Sequence, residues 1–490
     1  MMNRSQALAM MAALEAQAAG GRFAPLGLLG QQANDLIKAI DTIGYQTPLT
    51  PASGSNLSPL VPQFLDPEVR LATVEVGDEV VLLNDLKVQD AAQTVAEFNR
   101  LTSYGQRLHP FFAEGSAPGN TQTAWDKQYV KIAYLGRRGE VTDVANQINN
   151  FNGYVNQSAL EIERQGRVND LMLATEEAAF FGTDSLNPLS FKGVIQQINA
   201  GGGYNVNKAG AALSLGDIQD YIRTLAQSAR AGKPRVIYAD IDTFGILAKE
   251  IQESPNNYLF RDQVQNGKFT LSARSIEFVA QRGGGMVQLK CAPRLQWAID
   301  PPTSSAGEVG TSVTIAVQPV DDGALPGTSQ WVSGDAGAYS YKVVPVYKKG
   351  AGAAITSNAV TVGAGDKIKV EMSDVSAQSN ASNPLYYYDV FRTDKDGTTY
   401  KRIMQVAVNT SGAGGGTRII DLNALKYNAS KLVICDPYGG SKMGLFELLP
   451  TMLRPLAQVE TTVPFLVQRY CSPVVYVPEQ AAVIENFVMS

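Results

Sequence analysis

Histidine is almost missing. The 490 residues hold one, His109, which precedes Pro110 and so stands on backbone biased toward extended geometry. Any Ser-His-Asp or Cys-His chemistry would need that ring, and no Asp, Ser or Cys beside it forms a signature, so it reads as a loop residue. Cysteine is scarce too: Cys291, Cys435 and Cys471 stand 144 and 36 residues apart. That spacing excludes a CxxC pair, leaves an odd thiol and fits a reducing compartment. One histidine and scattered cysteines do not supply the ligand set of a zinc site, so neither metal nor cofactor is expected. Charged residues make up 18 % of the chain, against roughly 25 % in ordinary soluble domains, which leaves a weakly charged surface suited to contact with other chains. The net charge of −5 offers no basic excess to hold a phosphate backbone, so sequence-specific nucleic-acid binding is not expected. No apolar run reaches the roughly 18 residues of a membrane helix, and no membrane partner is expected.

What is present is apolar mass. Hydrophobic residues are 44 % of the sequence, and the length suggests about three domains at about 150 residues each. Near the start, Arg4 precedes an apolar run from Ala7 to Leu14, but Glu15 ends it early, and Leu8, Met11 and Leu14 read as a short amphipathic helix in place of an export signal. Asp240-Ile241-Asp242 has the form of a metal-binding DxD, yet it lies between a strand (Arg235 to Ala239) and a helix (Thr243 to Ile251), where Asp242 reads as an N-cap. Three glycine triplets, at 201–203, 283–285 and 414–416, open no GxGxxG or GK[ST] motif, and Gly267-Lys268 has Asp262 where a phosphate-binding loop needs glycine. Nucleotide binding is not expected.

Along the chain, residues 1–60 show two helical patterns, Ala7 to Ala18 and Gln31 to Ile43, then a Pro, Ser and Asn-rich stretch from Pro48 to Pro62. Val69 to Val88 reads as extended strands turning at Gly77-Asp78. A long hairpin is expected between Phe112 and Gln147: Val130, Ile132 and Tyr134 alternate with polar or small residues, Gly136-Arg137-Arg138-Gly139 turns, and Val141 to Val144 returns. Such a hairpin is marginal alone and needs a partner surface. The strongest helix is expected from Asn152 to Phe181, with Val168, Leu171, Met172, Thr175, Ala178 and Ala179 on one stripe and Gly182 at its end. Ser214 and Asp217 have capping-box spacing ahead of Ile218, Tyr221, Ile222, Leu225 and Ala229. After Pro301-Pro302 the composition shifts to Gly, Ser, Thr and Val. Strand signals follow at 313–317, 339–347, 367–372, 386–393, 400–408 and 417–422, with Asp396-Gly397 as a hairpin turn, which together predict a β-sandwich. Mixed character resumes at Lys431, with strands at Leu432 to Ile434, Phe465 to Tyr470 and Val474 to Val477. The β-rich stretch thus interrupts another domain.

The order of elements, with particular segments, resembles the major capsid proteins of tailed bacteriophages, which share the Hong Kong ninety-seven-type shell fold. Thr94 to Arg100 through Tyr104-Gly105 is similar to that family's arm before its extended loop, and Tyr134-Leu135-Gly136 through Gly139 to Thr142 to the returning loop strand. Glu161 to Gln165 through Glu176 to Gly182 is similar to the spine helix. Leu448 to Pro450, Arg454 to Ala457 and Arg469-Tyr470 through Val477 to Glu479 are similar to the closing strands. The resemblance implies an α+β shell fold: an N-terminal arm (1–111), an extended loop (112–152), a peripheral domain with the spine helix (153–200 and 446–490) and an axial domain (201–302 and 424–445). The β-sandwich at 303–423 resembles fibronectin type III or immunoglobulin-like insertions, above all in Tyr339 to Val343 and Tyr388 to Thr393.

It further implies a non-enzymatic structural protein that assembles with itself as hexamers and pentamers. Scaffolding protein, portal and decoration proteins are the other expected partners, and packaged DNA is met by non-specific proximity only. The expected location is the virion capsid, after assembly in the host cytoplasm. The candidate inter-subunit contacts are Trp125, Lys127, Tyr129, Lys131, Arg137, Arg138 and Glu140, with aromatic packing expected to contribute more than exposed ion pairs, which are worth roughly 0 to 1 kcal/mol each. Some members of the family join a loop lysine to an asparagine of another chain; Lys127 and Lys131 stand on this loop, but no partner for them is identified and cross-linking is not expected. A cellular nanocompartment shell of the same fold is the alternative, distinguished by its enzyme cargo. A carbohydrate-active enzyme with a fibronectin-like module is a further one, which would need a cleft carboxylate pair that the sequence does not display.

Overall fold

The computed structural model describes residues 75–105, 111–117, 120, 122–152, 158–227, 230–253, 276–279, 285–302, 314–320, 326–374, 377, 382–458 and 461–488. The readings of residues 1–60, His109 and Gly267-Lys268 lie outside them. Where strands were expected up to Val88, the chain instead makes two single helical turns, α1 (Val76–Glu79) and α2 (Leu82–Asp85), before a short strand β1 (Val88–Asp90). Gly77-Asp78 lies inside the first of these helices, and Val80, Leu82, Leu83 and Leu86 are buried.

Next come β2 (Val95–Ser103), β3 (Ala124–Lys131) and β4 (Ala133–Thr142). The hairpin expected between Phe112 and Gln147 does not form: β3 pairs with β2, which precedes that range, β4 pairs with β21, and the expected Gly136–Gly139 turn is the uninterrupted middle of β4. Residues 143–144, expected to continue the strand, begin helix α3 (Asp143–Asn152). The long helix α4 (Ala159–Phe181) starts later than expected, at a cap where the Ser158 side chain accepts the Glu161 N–H. Its 23 residues span about 34 Å at about 1.5 Å per residue. Its buried face includes Leu171, Thr175 and Ala179 of the expected stripe, with Glu176 and Phe180 beside them.

The chain continues through α5 (Val194–Ala200), β5 (Tyr204–Asn207), α6 (Leu215–Ala226), β6 (Val236–Ala239), α7 (Ile241–Glu253), β7 (Ile276–Val279) and β8 (Met286–Cys291). The capping box at Ser214 and Asp217 forms as read. At α7 the cap is Asp240, which accepts the Thr243 N–H at 2.9 Å; Asp242 falls in the first turn, so the N-cap expected two residues later is corrected. The β-rich stretch supplies β9 (Thr314–Val320), β10 (Gly337–Tyr339), β11 (Tyr341–Tyr347), β12 (Gly350–Ala351), β13 (Ile355–Thr356), β14 (Val360–Val362), β15 (Lys367–Ser373), β16 (Leu385–Thr393), β17 (Tyr400–Ala407) and β18 (Thr417–Asp421). The last strands are β19 (Ser430–Cys435), β20 (Met443–Pro455), β21 (Thr462–Val475) and β22 (Ala482–Phe487). The two strands read around Pro473 are one, β21, and β22 carries no expectation.

Three assemblies result. A six-stranded sheet, ordered β5-β22-β19-β6-β8-β7, mixes parallel pairs (β5/β22, β6/β8) with antiparallel ones. Period-two alternation sends Val236 and Tyr238 to one face and Ile237 and Ala239 to the other, and both faces are buried. The first face packs on α2, α4 and α5, the second on α6 and α7. The sequence reading groups 446–490 together, yet β22 hydrogen-bonds into this sheet. A second sheet, β1-β20-β21-β4, is laid against α4 through Leu171, Phe465 and Val467. Within the third assembly, β9 to β18 pair only among themselves among the described residues, around a core that includes Trp331, Tyr341, Val370 and Tyr388. The molecule is thus a mixed helix-and-sheet protein.

Candidate inter-subunit surface

The β2–β3 ribbon is a two-stranded antiparallel ladder with one residue pair directly opposite another, so its faces can be read from the register. Val95, Glu97, Asn99 and Leu101 stand opposite Lys131, Tyr129, Lys127 and Trp125, all on one face. Ala96, Phe98 and Arg100 stand opposite Val130, Gln128 and Asp126 on the other. The two faces differ in exposure at every position: the first is exposed throughout, and the second is half-buried. Trp125 and Tyr129 are 68 % and 74 % exposed, the posture of side chains with no covering surface inside their own subunit.

The half-buried face ties the ribbon to its own body. The Arg100 guanidinium bridges Asp126 at 2.9 Å and Glu479 at 3.1 Å. Gln128 and Arg100 together hold the Asp126 carboxyl below the usual carboxylate range. The Phe98 ring meets Tyr476 edge-on at 4.9 Å, and the Tyr476 hydroxyl donates to Gln89. One face is therefore anchored while the other is left bare.

Of the seven candidate contacts, the structure brings four together: Trp125, Lys127, Tyr129 and Lys131 share the exposed face of β3. Lys127 pairs there with Glu97 across the ladder. The other three are elsewhere, on β4. Arg137 is engaged inside the chain, with Asp170 of α4 at 2.7 Å, and Arg138 reaches Glu140 two residues along its own strand at 3.3 Å. Sequence reasoning missed Val95 and Leu101, which complete the apolar stripe, and Tyr104, Phe111 and Phe112, exposed on the segment joining the strands. The alternation from Val95 to Leu101 carried that signal.

No group of three or more His, Cys, Asp or Glu side chains is placed to hold a metal ion among the described residues. Burial pushes the Cys471 thiol up to about 11 and the Cys435 thiol higher still, so neither is a thiolate at neutral pH. No helix among the described residues is long and apolar enough to cross a membrane.

The chain matches no family model. It is 22 % identical over 472 residues to the major capsid protein of Staphylococcus phage K, a match covering 92 % of this chain and 94 % of that one. This chain is similar to phage major capsid proteins. The major capsid protein of Staphylococcus phage S25-3 matches with the same identity and coverage. Among solved structures, one described as Gordonia phage Cozz aligns at 10 % identity with a TM-score of 0.44, covering 92 % of this chain and all of that one. The likeness to phage major capsid proteins expected from the sequence is met.

Proposed function

We propose that this chain is the major capsid protein of a bacteriophage, a structural protein that self-assembles into the icosahedral shell around double-stranded DNA. The observation that carries the reading is the match to phage major capsid proteins across 92 % of the chain. The ribbon supports it. A two-stranded ladder held by one face and bare on the other suits a subunit that lies over an identical neighbour, which rotational symmetry then repeats. Stable interfaces of this kind bury on the order of 2,000 Å² or more, and the Trp125–Tyr129 stripe would be one part of that contact.

The finer assignments follow the same reading. The fold is of the Hong Kong ninety-seven type, with α4 as spine helix, the β20–β21 pair in the peripheral domain, and β6 to β8 in the axial one. Hexamers and pentamers of this chain close the shell with scaffolding, portal and decoration proteins, in the host cytoplasm. DNA is enclosed without sequence-specific contact, in keeping with the net charge of −5. The β9–β18 strands form a fibronectin-like insertion on the shell's outer side, supported by their exclusive pairing among the described residues and their separate core; reinforcement of neighbouring subunits is the role proposed for it, and adhesion to a cell-surface sugar is the alternative, which loss of host attachment with unchanged particle stability on its deletion would favour.

Electron microscopy of the particles that the full chain forms in cells infected by its phage, together with their nucleic-acid content, tests the proposal. Closed shells that package DNA are expected. Shells that enclose an enzyme and no DNA would replace it with a nanocompartment, and a chain that stays monomeric in those cells would overturn it.

A further inference from the structure

The chain passes from β8 into the β9–β18 unit and returns from it to β19. Two passages alone would leave that unit free to pivot on the body. At the first passage stands Trp297. Its indole N–H donates to the Ile403 carbonyl at 3.2 Å, and its own carbonyl accepts from Arg402 Nε at 3.1 Å. Two residues on, the Ile299 carbonyl accepts from the Arg402 backbone N–H at 3.0 Å, and Lys401 pairs with Asp300 at 3.1 Å. Residues 297–300 are thereby laced to the edge of β17 by both backbone and side chain.

The indole ring is gripped as well. The Arg402 guanidinium lies 4.5 Å from its centroid and the Lys431 ammonium 4.1 Å, while Phe181 packs at 5.2 Å. These three neighbours come from three separate parts: Arg402 from β17, Lys431 from β19 and Phe181 from the last turn of α4. Each cation is attracted by the π-face of the ring, which offsets part of the repulsion between the two. Their anions stand outside the stack, Glu485 at 3.4 Å from Lys431 and Asp389 at 3.9 Å from Arg402. The second passage is tied independently. Asp335 accepts from Asn423 at 2.7 Å and from Lys426 at 3.2 Å, and the Asn486 amide donates to Ala424 at 2.7 Å.

We propose that Trp297 is a wedge that locks the β9–β18 unit onto the end of α4 and the start of β19, so that the unit and the body move and unfold as one. The outer unit is then a fixed projection of the wall, unlike a module on a swivel. This coupling does not depend on the proposed function, since it is a property of the single chain.

Calorimetry and hydrogen exchange on the full chain test it. The natural protein is expected to unfold in one cooperative transition. Trp297→Ala is expected to split it in two and to raise exchange at least tenfold in β17 and the last turn of α4, while amides in β11 and β15 keep their protection. Trp297→Phe, which keeps a ring but loses the N–H, should fall between. Two transitions in the natural protein would overturn the wedge. So would a single unaltered transition in Trp297→Ala, or a uniform rise in exchange across both parts, the mark of a merely structural residue. If Trp297→Ala gives no soluble chain, Arg402→Gln, which leaves the indole in place, takes the same measurements: localised loosening at β17 and α4 supports the proposal and its absence overturns it.

Discussion

The Glu176 carboxylate accepts the backbone N–H of Leu82 at 2.6 Å, across 94 residues of sequence. The same side chain accepts from Val81 at 3.1 Å and Leu83 at 3.0 Å, so one buried carboxylate of α4 satisfies the orphan donors that open α2. Burial pushes its pKa above the usual carboxylate value, against those three donors. Glu176→Gln puts an amide NH₂ against a backbone N–H and should cost about 1–3 kcal/mol, measured by urea unfolding. Because the folded-state pKa is raised, the folded protein holds this proton more tightly than the unfolded chain. Its contribution is complete below the unfolded value and declines as pH rises through the folded one. The stability gap between the natural protein and Glu176→Gln should therefore narrow on raising the pH through the acidic range, and a gap that widens would refute this account.

Inside the β9–β18 core, Arg392 is fully buried and its Nη1 donates to Asp421 at 2.6 Å, while the Tyr341 hydroxyl donates to the same carboxylate oxygen at 2.7 Å. The second terminal nitrogen reaches Asn423 at 2.9 Å, and the guanidinium lies 4.8 Å from the Trp331 ring centroid. Removing one partner strands a charge out of water. Arg392→Met should cost about 3–5 kcal/mol, whereas Arg392→Met with Asp421→Leu should recover most of that loss. A double-mutant cycle read by denaturant unfolding decides; equal losses in the single and double variants would show that packing, not charge, matters here.

What the sequence revealed was set by how far each residue's partner lies along the chain. Ser214 caps a helix that begins at the next residue, and Asp396, at φ 54°, turns the chain between β16 and β17, so local pattern sufficed for both. The alternation of Val130 and Ile132 with the exposed Lys131 was legible for the same reason. The turn at Leu82–Asp85 depends on Glu176, and the uninterrupted run through Gly136–Gly139 depends on β21, more than 300 residues away. Two glycines around two arginines have the composition of a turn, and only the distant strand makes them a ladder. Arg137 likewise found Asp170 within the chain, which no spacing rule announces.

Gly139 shows why that strand needs glycine. A Cβ there would lie 2.9 Å from both Cε atoms of Phe465, whose ring fills the space between β21 and α4 with Leu171 and Val467. Phe465 has no exposed side to move toward. Gly139→Ala should destabilise the chain by about 1–3 kcal/mol through overpacking. Thermal unfolding gives the check, and Gly139→Ala combined with Phe465→Leu should regain part of the loss. If position 139 were a surface turn, alanine would be nearly neutral.

The ribbon's bare face gives the sharpest separation of folding from assembly. Trp125 and Tyr129 touch little of their own subunit, so Trp125→Ser and Tyr129→Ser should each shift subunit stability by no more than about 0.5 kcal/mol. If that face is an interface between copies, truncating an aromatic anchor should cost about 1–2 kcal/mol at each contact, and repetition around a shell should cut particle yield steeply. Lys127→Ala should do far less, because an exposed pair with Glu97 is worth about 0–1 kcal/mol. Arg100→Met, on the opposite face, should loosen the ribbon from Glu479 and raise its hydrogen exchange without removing the apolar stripe. Light scattering and sedimentation of the four variants give the ranking. Particle yield unchanged in Trp125→Ser and Tyr129→Ser, with subunits as stable as the natural protein, would remove this face from the assembly.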